Sequence, residues 1–85
     1  MPTQQELISA VKSAVADLAN LPVADIKDGD RLRDDLGLDS LQEMELMSRL
    51  SETYEIEPEM EDVMKVTTVA EVADFLADYI AKTKS

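Results

Sequence analysis

Eighty-five residues carrying a net charge of -11, with 19 acidic side chains against 8 basic ones, no cysteine and no histidine, rule out several kinds of function together. So acidic a chain repels nucleic acid and anionic membranes, and the missing residue types remove disulfides, thiolate metal sites, cysteine nucleophiles and the histidine that would activate a serine. The same charge favours encounter with basic protein surfaces, and a chain of this length forms one domain, residues 1–85, burying about 60–65% of the surface it exposes when unfolded. The start, Met1-Pro2-Thr3-Gln4-Gln5-Glu6, lacks the basic opening and apolar run of a signal peptide, and no apolar stretch reaches the ~20 residues of a membrane span. A cytoplasmic monomer with no membrane association is the expectation.

Leu7, Ile8, Val11, Val15 and Leu18 recur at the spacing of one helical face, so a first helix is expected from about Thr3 to about Ala19. Thr3 with Glu6 three residues later forms a capping box, and Asn20 and Pro22 end the helix. From Leu21 to Asp39 the periodicity fails and turn residues dominate. Loops this long are uncommon in compact domains unless they pack down or carry function, and Val23, Ile26, Leu32 and Leu36 are the candidate apolar pins.

A second helix should begin at Asp39 or Ser40 and run to about Tyr54, with Leu46, Met47, Leu50 and Tyr54 inward and Glu43, Glu45 and Glu52 on its other face. Glu59 to Met64, after Pro58, reads as one or two helical turns begun by proline. Thr67 or Thr68 then caps a last helix through Val69, Val72, Ala73, Leu76, Tyr79 and Ile80, with Glu71 completing the box and Lys82-Thr83-Lys84-Ser85 fraying. The expected fold class is all-α, a small four-helix bundle with one short helix and a long first loop.

Ser40 is the candidate for chemistry. On spacing alone Ser40-Leu41-Gln42-Glu43 is a capping box in which the serine oxygen is spent on the backbone. Asp39 offers an alternative cap that would release the hydroxyl outward, and Gly37 supplies a turn just before it. A helix start also favours a phosphate-linked group, because its partial charge is positive. Without a base the serine is better placed to be modified than to catalyse.

Neither calcium nor phosphate-loop chemistry fits the remaining residues. With Gly29 in the sixth position of an EF-hand loop the first would be Ala24, which has no side-chain oxygen. Gly29 and Gly37 are the only glycines, too few for a glycine-rich phosphate loop. Between Asp34 and Asp62 stand 11 of the 19 acids and 1 of the 8 cations, Arg49, a segregation that suggests a docking face for basic partners. The methionines suit core filling, and Met44 and Met64 are placed to border a cavity with adaptable contents.

Asp35-Leu36-Gly37-Leu38-Asp39-Ser40-Leu41, Glu45-Leu46, Tyr54-Glu55-Ile56 and Lys65-Val66-Thr67-Thr68-Val69 together resemble the acyl carrier proteins over about Leu32 to Ile80. The resemblance implies a four-helix bundle with a 4'-phosphopantetheine arm on Ser40, flanked by Asp39 and Leu41, and no catalytic residues. It implies a partner face of Leu41, Met44, Glu45 and Glu52 on the second helix, read by a phosphopantetheinyl transferase and by acyl-loading and acyl-processing enzymes with basic docking surfaces. Gln42 and Ser51 stand where fatty-acid-synthesis carriers often have acids, Arg49 adds a positive charge to the second helix, and Met60 and Met64 replace common acids, while Leu38 before Asp39 is commoner in carriers of polyketide, lipopeptide and related pathways. The alternatives are a peptidyl or aryl carrier of a nonribosomal pathway, against which Asp39 speaks, and an acidic helical interaction module with no prosthetic group.

Overall fold

A computed structural model describes residues 2–84 and contains α1 (Gln4–Ala19), α2 (Ser40–Tyr54), α3 (Met60–Val63) and α4 (Val69–Lys84). Thr3 holds an extended backbone, its Oγ1 accepts from the Glu6 N–H at 3.1 Å, and the Glu6 carboxylate accepts from the Thr3 N–H at 3.1 Å. Two of the four donors left free at a helix start are thereby satisfied. At the other end Asn20 turns into the left-handed region, φ 58°, and returns its N–H to Ala16, a conformation asparagine accepts more readily than most residues.

The apolar stripes meet in one core: Leu7, Ile8, Val11 and Val15 from α1, Leu46, Met47 and Leu50 from α2, and Val69, Val72, Leu76 and Ile80 from α4. α1 packs against both α2 and α4. Each large aliphatic residue so buried contributes about 1.5–3 kcal/mol, and no polar or charged residue is buried among the described residues. Polar contacts lie at the rim, where the Gln4 amide donates to Asp74 at 2.7 Å and Arg49 stands 3.8 Å from Asp17. Tyr54, expected inward, is half-buried at the end of its stripe.

The long first loop is ordered because it supplies what α4 lacks. The first residues of a helix have N–H groups with no partner inside it. Here the Val69 N–H donates to the Asp30 carbonyl at 3.1 Å and the Ala70 N–H to the Asp28 carbonyl at 2.8 Å. Leu32 donates in return to the Thr67 carbonyl at 2.9 Å, forming an isolated antiparallel bridge between Arg31 and Thr68. Lys12 of α1 pairs with Asp28 and holds the loop from the other side.

Ile26, Leu32 and Leu36 are buried as expected, and Leu38 joins them. Val23 is a correction. It opens a single 3-10 turn, Val23–Asp25, that lies on the surface, and it stays half exposed, the chain reaching the core only at Ile26. The C-terminal segment is a second correction, since Lys82, Thr83 and Lys84 continue α4 and only Ser85 lies outside the described residues.

α3 is one turn long and has no side-chain cap of its own. Tyr79 of α4 holds it, accepting from the Glu59 N–H at 3.2 Å and donating to the Asp62 carboxylate at 2.7 Å. Phe75 backs the Tyr79 ring at 4.8 Å. Among the described residues no helix is long and apolar enough to cross a membrane.

Thr68 caps α4, accepting from the Glu71 N–H at 3.2 Å, while Glu71 Oε1 takes the Thr67 hydroxyl at 2.6 Å and the N–H groups of Thr67 and Thr68 at 3.1 Å each. These bonds, the Thr67 hydroxyl first, hold the Glu71 carboxyl below the ordinary glutamate value of 4.5. A lowered acid stabilises the fold above its ordinary value, and the gain disappears as the pH falls through the lowered one. Glu71→Gln should therefore lower the melting temperature at neutral pH, and the gap from the parent protein should close on titration to about pH 3. A gap that stays constant over that range would contradict the cap.

Candidate functional site

The chain approaches α2 through Leu36 and Leu38, both buried, with Gly37 between them at φ +73°, a backbone conformation open to glycine at little cost. Leu38 is fixed by its N–H to the Leu32 carbonyl at 2.9 Å. Asp39 then takes the N-cap position with φ -94° and ψ 179°. Its Oδ1 accepts from the Gln42 N–H at 2.8 Å, and its own N–H donates to Gln42 Oε1 at 3.2 Å. The box is thus Asp39 with Gln42, and the Ser40–Glu43 box that the spacing equally permits is not formed. Gln42 has a further use, donating from Nε2 to the Leu18 carbonyl at 3.1 Å, which satisfies an open carbonyl in the last turn of α1.

Ser40 is consequently the first helical residue, exposed, with its oxygen free of the backbone cap. That oxygen accepts from Arg33 Nη2 at 2.9 Å, and Arg33 Nε reaches Glu43 Oε1 at 2.7 Å. Glu43, expected on the solvent face of α2, is drawn in by this pair, and its side chain is 19% exposed against 57% for Arg33. Sequence reasoning missed Arg33, whose one signal is a cation just upstream of an acidic stretch. Arg31, two residues earlier, pairs with Asp34 at 3.4 Å.

The expected partner-face residues share one side of α2. Relative to Leu41, Glu45 and Glu52 lie within about 40° and Met44 about 60° the other way, at 100° per residue. All four are exposed, Leu41 at 72% and Met44 at 49%. Exposed leucine and methionine beside carboxylates suit contact with a partner having both apolar and basic groups.

Beside this face a groove of about 660 Å³ opens between α2, α3 and the loop. Met44 and Met64, singled out from the sequence, both line it, together with Met47, Met60, Val63 and Val66. Arg33 and Ser40 border the same space. Methionine walls adapt to contents of varying shape, and α3 is a single turn without a side-chain cap, held by the Tyr79 hydroxyl.

An exposed hydroxyl that the helix does not need, next to a cation able to face an anion, fits a covalent phosphate-linked group and offers no catalytic machinery. Residues 9–76 match a family model described as the phosphopantetheine attachment site, so the fold and site define a prosthetic-group carrier. Acyl carrier proteins of Exiguobacterium sp. and Streptomyces coelicolor are 34% and 32% identical to the chain, covering 87% and 92% of it and 94% and 86% of their own lengths. The solved NMR structure of an HMG-ACPI domain from the CurA module of Lyngbya majuscula superposes with a TM-score of 0.83 at 19% identity, over 98% of this chain and 83% of that one, a likeness of fold. The chain belongs to the acyl carrier protein family. It is a carrier and not an enzyme, its prosthetic group is a covalently attached 4'-phosphopantetheine, and its partners include phosphopantetheinyl transferase and acyl-processing enzymes.

Proposed function

We propose that Ser40 bears the 4'-phosphopantetheine and that Leu41, Met44, Glu45 and Glu52 form the face on which partner enzymes with basic surfaces dock. The observation that carries this reading is the capping of α2 by Asp39, which leaves the Ser40 hydroxyl exposed and free of the backbone. When bound, the arm supplies a thiol that holds acyl groups as thioesters. Asp39 fixes the first turn of α2, Leu41 offers an apolar contact next to the serine, and the carboxylates of Glu45 and Glu52 steer basic partners toward it.

A carrier of polyketide, lipopeptide or other specialised metabolism suits the chain better than one of primary fatty acid synthesis. Supporting this are Leu38 before the Asp39–Ser40 pair, Gln42 used as a structural amide where an acid would add charge, and a groove walled by methionines at positions 60 and 64. A peptidyl or aryl cargo is disfavoured by Asp39, which in this chain is also the cap that α2 depends on.

Incubation with coenzyme A, magnesium and a phosphopantetheinyl transferase should add one arm to the parent protein by intact mass and none to Ser40→Ala, whose circular dichroism should remain helical. An arm on the alanine variant would assign the site elsewhere. For the docking face, Glu45→Lys should reduce the association rate with the transferase by about threefold to tenfold at low salt, the loss shrinking as salt is added. Asp78→Lys on α4 makes the same change in net charge far along the chain and is the control. Equal losses from the Glu45 and Asp78 variants would mean that total charge alone governs association.

A further inference from the structure

The geometry points to Arg33 as the anchor of the arm's phosphodiester, a role that rests on Ser40 being the attachment site. Arg33 belongs to a tightly bonded turn. The Arg31 N–H donates to the Asp35 carboxylate at 2.8 Å, the Gly37 N–H to the Arg33 carbonyl at 3.1 Å, and the neighbouring Leu32 is buried. The root of the side chain is therefore held in place. Its guanidinium is held at one edge as well, by Nε on Glu43 at 2.7 Å, and this aims Nη2 at the Ser40 oxygen.

In this arrangement a charged fork spends one of its donors on a neutral hydroxyl. A planar guanidinium carries five N–H donors and prefers anionic oxygens, to which its bonds are shorter and about twice as strong. Transfer of the arm from coenzyme A breaks the pyrophosphate bond of that donor, releases adenosine 3',5'-bisphosphate and the Ser40 hydroxyl proton, and bonds phosphorus to the same Oγ, so that anionic oxygens stand two bonds from the atom that Nη2 already contacts. The new charge would otherwise add to a chain at -11, beside the carboxylates of Asp39 and Glu43. Glu43 thus acts as a positioning residue for the arginine, and Arg33 offsets the phosphate. Because Arg33 and Ser40 both border the methionine-lined groove, the anchor holds the base of the arm on the groove side of α2.

The test loads the parent protein, Arg33→Gln and Arg33→Lys with coenzyme A, magnesium and a phosphopantetheinyl transferase, and verifies each by intact mass. The phosphodiester is then read by 31P NMR, and apo and loaded forms are compared by thermal unfolding. The 31P resonance should shift between the parent and Arg33→Gln. Loading should favour the parent over Arg33→Gln by about 2–4 °C in melting temperature at low salt. That advantage should shrink in ~0.2 M salt. Arg33→Lys, which keeps the charge without the fork, should fall between the two. An unmoved 31P resonance with equal loading effects in all three proteins would overturn the anchor while leaving Ser40 in place. Failure of the parent protein to gain the arm would overturn the Ser40 assignment and the anchor with it.

Discussion

The capping of α2 by Asp39 is the interaction on which the rest of the site depends. A helix start needs an acceptor for its free N–H groups, and two adjacent residues, Asp39 and Ser40, are chemically able to supply one. With the aspartate in the extended cap position, Gln42 closes the reciprocal bond and spends its amide on α1, while the serine is left as the first helical residue. The cap therefore does two things with one carboxylate. It holds the first turn of α2 and releases the hydroxyl that projects from it.

The surroundings of that hydroxyl follow from how the first loop is held. Its carbonyls satisfy the opening N–H groups of α4, and its leucines at 32, 36 and 38 enter the core, so the loop is braced almost as a helix would be. Arg33 rises from this braced segment and reaches Ser40 and Glu43. The opposite side of the groove is built differently, from one helical turn clamped by the Tyr79 hydroxyl and from methionines with many rotamers. A rigid attachment point beside a yielding apolar wall is a reasonable design for holding varied cargo on a fixed arm.

Much of the fold was legible in the sequence because helices announce themselves by period and cap. The bounds of α1, its Thr3–Glu6 box, the inward stripe of α2 and the Thr68–Glu71 box all rest on contacts three or four residues apart. The serine motif was legible too, but the choice between an Asp39–Gln42 and a Ser40–Glu43 box was not, since both have the same spacing and only the backbone angles decide. The first loop was harder still. Irregular backbone has no period, so Val23 and Leu38 could not be sorted by pattern, and the pairing of Leu32 with Thr67 joins residues far apart in the chain. Arg33 was invisible for the same reason, seven residues from Ser40 with no regular element between them. The helical end of α4 was underestimated because charge and hydroxyl residues resemble a fraying tail while still tolerating helix.

The central claim, that Asp39 and not Ser40 carries the start of α2, is tested most directly by amide hydrogen exchange at Gln42. The account predicts that Asp39→Ala speeds exchange of the Gln42 N–H by about fivefold, the loss of a cap worth about 1 kcal/mol, whereas Ser40→Ala leaves it within about twofold of the parent. Exchange that accelerates in Ser40→Ala and is unchanged in Asp39→Ala would contradict it.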